Sequence, residues 1–485
     1  MKTLQLFVLF TLSLNVTHAQ LAYWEIESSA FANTEFSAIE VAVSGDFAFL
    51  AAHRYNSDAG AVACFQFTNE EWVETALLEP SDGAAGDRFG LGCAVDGEYL
   101  LIGAPTDNFT SNLSGKAYFY RLENGNWVEK QIIEPNLSGG AAFGFICDIE
   151  GDQAIIGAPD DSFGTGAAII YKRNSDVWEE QIVLTPPPGY SGYNFGAGAS
   201  ISGDWAAVGS YLFNSGGGFT NSIFMYQLVD GVWTFKQAVE HTESPNIAIT
   251  PSWNVAHSNE NLLFGYRHTS DGINPIVGGA TFYQNEGDTW GPVQTVTAPD
   301  LEENLFGRHV ALEGDFAIQG YTDEPAASLD SAHQILIYQK TDPTSWTEIG
   351  RLRVKSASIA NYQGLPMDIS EEFAIVGDPD ANTGFGRAYI MDLREFTISG
   401  VSGIQAFAEC KLYPNPAAEL LYISSDSRPI KEVVLFDNQG RVIRELYNLN
   451  TIRIEMAVSG LPAGLYYAQI AFENSGEVHP VVLGE

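Results

Sequence analysis

Residues Phe143 to Asp161 read FGFICDIEGDQAIIGAPDD. The segment opens on Phe-Gly, turns at Gly151 and Asp152, and closes on Gly-Ala-Pro, with apolar residues on both sides of the turn. Apolar residues around a two-residue turn of this kind are typical of a tight hairpin between buried strands. A single copy is weak evidence, because glycine and proline commonly flank short apolar runs, so the prediction depends on recurrence.

The hairpin recurs along the chain at a nearly constant spacing. Five well-preserved copies and two degenerate ones align on the Gly151 position, at residues 45, 97, 151, 203, 259, 314 and 371. Successive copies are 52 to 57 residues apart. One structural unit is therefore repeated seven times.

Each unit also carries two further apolar segments. A third segment ends near a tyrosine, as AAIIY does at Tyr171, and a fourth begins at a tryptophan, as at Trp178. Four antiparallel strands in a unit of this length are typical of a propeller blade. We predict an all-β fold with a seven-bladed β-propeller over residues 20–395.

The seventh unit has no tryptophan segment after its third strand, which would leave the edge of its sheet exposed. The sequence Trp24-Glu25-Ile26-Glu27 near the start of the chain matches Trp72-Val73-Glu74 and Trp127-Val128-Glu129. We therefore expect the N-terminal strand to close the ring by completing the last blade.

The repeats resemble the FG-GAP repeats of integrin α-chain propellers. Two copies match fully and two keep only the Phe-Gly half; these are Phe89-Gly90 with Gly103-Ala104-Pro105, Phe143-Gly144 with Gly157-Ala158-Pro159, Phe195-Gly196, and Phe306-Gly307. The resemblance covers roughly residues 21 to 395 and implies a seven-bladed propeller. We interpret the motif as scaffold, with Phe as an apolar anchor, its Gly as room for close backbone approach, and Gly-Ala-Pro as the exit from the second strand.

The resemblance also raises the question of calcium, which integrin-type blades bind through a DxDxDG-like loop between their first two strands. Here that connection is a short Gly-acid turn with no room for the loop, so these metal sites are not expected. Asp160 with Asp161 in one blade, or Asp378 with Asp380 in another, are alternative ligands from the loop after the second strand, but we interpret them as solvated turn residues. We predict no metal and no cofactor.

The four cysteines are too few for a disulfide-built scaffold and form no zinc-binding pattern. Cys93 and Cys147 occupy equivalent places in neighbouring blades, about one sheet spacing, roughly 10 Å, apart, which exceeds the reach of a disulfide. We expect buried free thiols.

The net charge limits the possible partners, and the first residues indicate export. The formal net charge is -38, which disfavours nucleic acid and anionic lipid as partners. Lys2 precedes an apolar run and then Thr17-His18-Ala19, so residues 1–19 are expected to be a signal peptide cleaved after Ala19. No later apolar run is long enough to predict membrane insertion.

After residue 395 the repeat stops, and residues 396–409 are predicted to be a linker into a small Ig-like β-sandwich over residues 410–485. Three segments there, Tyr413-Pro414-Asn415-Pro416, Asp437 to Val442, and Leu461 to Tyr466, resemble the type A sorting domain of the type IX secretion system. An Ig-like binding module is the alternative.

The resemblance to the sorting domain implies a partner, the type IX secretion machinery, which would engage residues 410–485. It implies export across the periplasm and outer membrane of a Gram-negative bacterium, removal of the domain, and release or attachment to surface lipopolysaccharide. Family members often have lysines before the last strand, where this chain has Glu477-Val478-His479-Pro480. This difference bears on how efficiently the protein is exported and not on whether residues 410–485 are a sorting domain.

No catalytic motif occurs, and no catalytic residues are predicted. We expect a secreted or cell-surface binding or adhesion protein for a glycan or protein ligand. The alternatives are a polysaccharide hydrolase or lyase with an unsignalled carboxylate pair, and a structural surface-layer protein.

The connections between second and third strands, and between blades, are expected to open on one face and to carry the ligand site. Five aromatic residues lie in two such loops around the fourth repeat and are the candidate ligand-binding residues: Tyr190, Tyr193, Tyr211, Phe213 and Phe219. Rigid aromatic rings beside Gly and Asn suit stacking on sugars or contact with a peptide. The alternative is that some of them pack beneath their own loops.

Overall fold

The structure is a computed structural model of the chain. It describes residues 21–32, 34, 38–106, 114–137, 140–190, 192–213, 219–240, 249–250, 255–268, 278–297, 309–322, 332–355, 365–379, 386–394, 410–425, 428–438, 440–472 and 475–484. The predicted signal peptide and linker lie outside these residues.

The strands follow the seven-fold repeat. The first strand is β1 (Leu21–Ile26). Blade 1 contains β2 (Glu40–Ser44), β3 (Phe47–Ala52), β4 (Ala61–Thr68) and β5 (Glu71–Leu78). Blade 2 contains β6 (Gly92–Asp96), β7 (Tyr99–Ala104), β8 (Lys116–Glu123) and β9 (Asn126–Ile133). Blade 3 contains β10 (Cys147–Glu150), β11 (Gln153–Ala158), β12 (Ala167–Asn174) and β13 (Val177–Leu184).

The second half of the ring repeats the pattern. Blade 4 contains β14 (Gly192–Ser202), β15 (Trp205–Phe213), β16 (Phe219–Val229) and β17 (Val232–Glu240). Blade 5 contains β18 (Ile249–Thr250), β19 (Val255–Ser258), β20 (Asn261–His268), β21 (Gly278–Asn285) and β22 (Trp290–Thr297). Blade 6 contains β23 (Val310–Glu313), β24 (Phe316–Thr322), β25 (Ala332–Asp342) and β26 (Ser345–Lys355). Blade 7 contains β27 (Met367–Ile369), β28 (Phe373–Asp378), β29 (Arg387–Asp392) and β1.

Helix is confined to short turns in the loops of the described chain. They are the helical turns α1 (Tyr55–Asp58) and α2 (Asp161–Gly164) and a 3-10 turn at Ser29–Phe31.

The blades form a closed ring around a central channel. The innermost strand of each blade, β2, β6, β10, β14, β19, β23 and β27, contacts the innermost strands of both neighbouring blades. Apolar residues pack between successive blades; for example, Phe49 and Cys64 of blade 1 lie in one buried cluster with Leu100 and Tyr118 of blade 2. The predicted seven-bladed β-propeller is confirmed.

The N-terminal strand closes the ring, as predicted, but in a different register. Trp24 lies opposite Ile390, whereas Trp127 of blade 2 lies opposite Leu122, whose counterpart in blade 7 is Leu393. The proposed equivalence of Trp24 with the other tryptophans is therefore wrong. Tyr23 is buried in the cluster that includes Phe316 of blade 6, whereas Trp24 packs across the ring junction onto Phe67 of blade 1.

The Phe-Gly and Gly-Ala-Pro motifs join neighbouring blades. The aromatic rings of Phe89, Phe143 and Phe195 are fully buried, and each of these residues bridges to a glycine of the preceding blade, at Gly60, Gly115 and Gly166. The amide of Gly144 donates to the carbonyl of Gly157 in its own repeat, at 3.1 Å. The motif acts as scaffold, as expected.

The C-terminal domain is a two-layered β-sandwich, as predicted. One sheet contains β30 (Cys410–Tyr413), β31 (Leu420–Ser425) and β34 (Arg453–Ala457). The other contains β32 (Glu432–Asp437), β33 (Val442–Leu446), β35 (Gly464–Ala471) and β36 (Ser475–Leu483). A shared core that includes Ile423, Leu435 and Ile470 lies between the sheets.

Candidate functional site

The two faces of the propeller differ in how their loops are used. The face that carries the short turns between first and second strands, here named the tight-turn face, is closed by hydrogen bonds between blades. The residue before each turn accepts a hydrogen bond from the turn amide of the next blade at five junctions: Ser44 from Gly97, Asp96 from Gly151, Glu150 from Gly203, Ser202 from Asn259, and Ser258 from Gly314. These turn amides are already engaged, so the opposite, long-loop face is the better place for a ligand.

A cavity of about 540 Å³ occupies the central channel and is lined by the innermost strands. Its wall contains eight carboxylic acids: Glu40, Asp96, Asp148, Glu150, Glu313, Asp368, Glu371 and Glu372. Among the described residues that line it there is no lysine or arginine. The lining is therefore acidic and favours cationic over anionic groups.

Several of these carboxylates hold blades together. Asp148 Oδ2 accepts from the amide of Ile201 in the next blade at 2.7 Å, and Asp368 Oδ2 accepts from the amide of Val43 at 2.8 Å. Burial raises the pKa of Asp148 to about 6 and that of Asp368 to about 7, although the backbone hydrogen bonds act in the opposite direction. These two acids are structural acceptors whose charge is disfavoured by their surroundings.

Glu40 and Glu313 show the same effect of burial. Burial raises the pKa of Glu313 to about 7, and burial together with the charge of Asp368 raises the pKa of Glu40 well above its usual value. The sequence contains no single motif for this set, because its acids come from five blades, with one to three acids from each. The available signal was the acidic residue immediately before the Gly-acid turn, as at Asp96, Glu150 and Glu313.

Cys93 and Cys147 also line the channel, and both are free and buried, as predicted. Burial is the first cause that raises the pKa of both thiols. A buried thiol with a raised pKa is a poor nucleophile at neutral pH, which disfavours cysteine chemistry here.

The acids considered as alternative metal ligands do not form a metal site in the described part of the chain. Asp161 and Asp378 are 7% and 0% exposed, so their interpretation as solvated turn residues is wrong. Asp161 Oδ2 accepts a hydrogen bond from Ser162 Oγ at 3.0 Å, within the turn α2. Asp380 lies outside the described residues.

Four of the five candidate aromatic residues lie on paired strands of blade 4. The backbone of Tyr193 lies opposite Tyr211 on β14 and β15, and that of Phe213 lies opposite Phe219 on β15 and β16. The strands of blade 4 are longer than those of blade 2. Counted from the equivalent turn glycines, β7 of blade 2 ends seven residues after Gly97, whereas β15 of blade 4 ends ten residues after Gly203. The backbone thus brings these four residues together at the long-loop end of blade 4, and their side chains lie outside the described residues.

Tyr190 is the fifth candidate, and its ring packs onto the blade. It lies edge-on to Phe224, with 5.0 Å between ring centroids, and 6.0 Å from Phe235. The ring is partly buried at the rim of the core between blades 3 and 4. Tyr190 therefore contributes to packing beneath its own loop and has only part of its surface available to a ligand.

Among the described residues, no helix is long and apolar enough to cross a membrane.

Comparison with known proteins agrees with the repeats and the C-terminal domain. Residues 72–120 match the FG-GAP repeat, and residues 411–483 match the secretion system C-terminal sorting domain. The FG-GAP match runs from the outer strand of blade 1 through the third strand of blade 2. The sorting domain is of the type IX kind, which indicates export from a Gram-negative bacterium to the cell surface or beyond it and implies interaction with the type IX secretion machinery.

No curated protein sequence matches the chain. Among solved structures, the chain is similar to the β-propeller domain of the Trilobed protease from Pyrococcus furiosus, with 10% identity and a TM-score of 0.41. That match covers 74% of this chain and 94% of the other.

Proposed function

We propose that this secreted or surface protein is a binding protein, in which the long-loop end of blade 4 recognises a glycan or a segment of another protein. The observation that carries the proposal is the pairing of Tyr193 with Tyr211 and of Phe213 with Phe219 on strands that extend past those of blade 2. Aromatic residues at adjacent paired positions suit a binding platform, because rigid rings lose little conformational entropy on binding.

The rest of the molecule supports this location. The tight-turn face is committed to bonds between blades at five junctions, so its turns have few free polar groups for a ligand. The long-loop face lies opposite to it and contains the variable connections. An aromatic platform suits sugar rings, which stack on flat apolar faces, and also suits extended peptides.

We propose binding rather than catalysis. Asp148 and Asp368 in the channel each accept a backbone hydrogen bond from a neighbouring blade, which gives them a structural role that a catalytic acid would not need. A hydrolase or lyase would require a carboxylate pair within reach of a bound glycan. The experiment therefore includes a test for turnover.

The test uses Tyr193→Ala with Tyr211→Ala and Phe213→Ala in the full chain. Binding to a glycan array and to extracted surface proteins is measured for the parent and the variant. We expect the variant to lose the ligand that the parent binds, with an unchanged melting curve. Tyr413→Ala with Tyr447→Ala removes exposed tyrosines, 49% and 40% accessible, from the sorting domain and is the matched control.

Full affinity in the triple variant would exclude the blade 4 site. New reducing ends or unsaturated sugars after incubation of the bound glycan with the parent protein would favour the enzyme instead.

A further inference from the structure

The strand β1 belongs to two domains at once. On one edge it pairs with β29 of blade 7, over Tyr23 to Ile26. On the other edge it pairs with β36 of the sorting domain, with Leu21 opposite Val478 and Trp24 opposite Ser475. The sheet of blade 7 therefore continues without a break into the four-stranded sheet of the sorting domain.

The ring of Tyr23 packs directly against Gly476 at the junction between β1 and β36. Its side chain is 2% exposed, and Gly476 lies directly opposite on β36. A Cβ atom at Gly476 would come within 2.2 Å of the Tyr23 ring, so a larger residue there would push the strands apart. Gln469 Nε2 donates to Tyr23 Oη at 3.3 Å from the next strand, β35.

A second set of contacts joins the sorting domain to blade 6. Gln469 Oε1 accepts from the amide of Arg353 at 3.1 Å, and Gln469 Nε2 donates to the carbonyl of Arg353 at 3.0 Å. The side-chain amide thus pairs with β26 as a neighbouring strand would. Gln334 Nε2 donates to the carbonyl of Gly440 at 3.0 Å, and the Gln334 side chain is fully buried.

The apolar core continues across the same junction. One buried cluster contains Leu352 and Val354 of blade 6 together with Val434, Phe436 and Val478 of the sorting domain. Burial of apolar surface together with backbone pairing is the combination that stabilises strand addition to a sheet edge. The contact is therefore a specific interface between the two domains.

The sequence of β1 is suited to this use. Its first three residues, Leu21, Ala22 and Tyr23, carry no charge, whereas the outer strand of blade 1 has Glu71 and Glu74. Charged residues on an edge strand oppose further pairing, and their absence here permits it.

From these contacts we propose that the sorting domain docks stably only on a propeller whose ring has been closed by β1. The surface that receives the sorting domain consists of the outer edge of β1, which pairs with β36, and of β26, which bonds Gln469 of β35, so it is complete only when β1 has joined blade 7. Docking of the sorting domain therefore reports that the propeller has folded. This property is independent of the ligand that the propeller binds.

The first test asks whether β36 protects β1. Hydrogen–deuterium exchange is measured on the full chain for Gly476→Val and for Gly464→Val, a glycine of β35 whose added Cβ meets nothing nearer than 4.0 Å. We expect Gly476→Val alone to raise exchange in residues 21–24 and 475–478 by roughly tenfold or more, because the paired strands open locally. Equal exchange in the two variants would overturn the docking.

The second test asks whether docking depends on ring closure. Ile26 is 4% exposed and lies opposite Ala388, away from the sorting domain; Ile170, fully buried in blade 3, is the matched control. We expect Ile26→Ala, but not Ile170→Ala, to raise exchange in residues 475–483. Unchanged exchange there in Ile26→Ala would overturn the dependence on ring closure.

Peptides that cover β28 and β34 report whether each domain remains folded in these variants. If exchange in β34 shows that Gly476→Val unfolds the sorting domain, the variant Gln469→Ala is used in its place. This change removes the hydrogen bonds to Tyr23 and Arg353 and introduces no bulk. Slow exchange of residues 21–24 in Gln469→Ala would then count against the proposal.

Discussion

At the scale of single residues, the repeat motif depends on glycine because backbones of neighbouring blades touch. A Cβ atom at Gly103 would come within 1.9 Å of the carbonyl oxygen of Gly144, and one at Gly157 within 2.0 Å of that of Gly196. In both cases the contacted glycine belongs to the Phe-Gly of the next blade. The two halves of the motif are thus complementary across the blade junction rather than within one hairpin alone.

Alanine at these glycines should therefore separate two blades. We expect Gly103→Ala and Gly157→Ala each to destabilise the fold by about 1–3 kcal/mol, because a packed backbone contact has to move. Gly209 occupies the same position in blade 4, but its nearest neighbour is 3.5 Å from an added Cβ, so Gly209→Ala should change stability by less than about 0.5 kcal/mol. Thermal unfolding measures all three, and equal loss at the three positions would contradict the explanation.

At the scale of elements, β1 determines the integrity of the last blade. It covers the edge of β29 and contributes Tyr23 and Ile26 to two buried clusters. Arg387 Nη1 holds Glu25 Oε2 at 2.8 Å, which adds an ion pair along the same strand. Trp24 Nε1 donates to the carbonyl of Glu70 at 3.1 Å, which ties β1 to blade 1 as well.

Deletion of residues 21–26 should open the ring between blades 6 and 1. We expect a fall of many degrees in the melting temperature, since an unpaired edge and two partly emptied clusters remain. Deletion of six residues from the linker, 396–401, is a control that leaves β1 in place. A melting curve unchanged by loss of β1 would show that ring closure contributes nothing to stability.

The elements also show what the sequence can predict. The strands, the blades and the role of β1 follow from the period of the repeat and its turn residues. The register of β1 does not, because Tyr23 and Trp24 are both aromatic and only the partners in blades 6 and 1 decide which ring is buried. The pairing of β1 with β36 had no local signal, because it joins strands more than 450 residues apart.

The candidate site was also predicted from the sequence only in part. The sequence predicted that aromatic residues gather on blade 4, and the backbone register places four of them together. It did not predict the position of Tyr190 against Phe224, nor the acidic channel, because both depend on contacts between segments far apart in sequence.

At the scale of the whole molecule, the sorting domain should be needed for export. We expect deletion of residues 410–485 to leave the propeller in the periplasm, because the domain is the part that the type IX machinery engages. Cell fractionation with immunodetection measures this, and Val232→Ala, a change at a residue of the propeller that is 61% exposed, serves as a control with the sorting domain intact. Normal surface display of the deletion variant would refute the prediction.

The channel is a property of the entire ring, and it should make stability depend on pH. The closed ring brings together carboxyls from several blades whose pKa values are raised by burial, to about 6 for Asp148 and about 7 for Glu313 and Asp368. In the unfolded chain such groups titrate near 4. A raised pKa in the folded state means that the folded protein binds protons more tightly, so the stabilisation is present at low pH and is lost as the pH rises through about 6 to 7.

We therefore expect the melting temperature to fall between pH 5 and pH 8, and Asp368→Asn to reduce that fall. The asparagine keeps an oxygen that can accept from the amide of Val43, but it carries no charge into a channel whose described lining has no lysine or arginine. Asp288→Asn removes the same charge from the surface, where the side chain is 78% exposed, and should leave the pH dependence unchanged. The melting temperature of each variant is measured across this pH range. Parallel curves for Asp368→Asn and the parent would show that the charge of Asp368 does not set the pH dependence of the ring. Curves that converge toward pH 5 would show that it does.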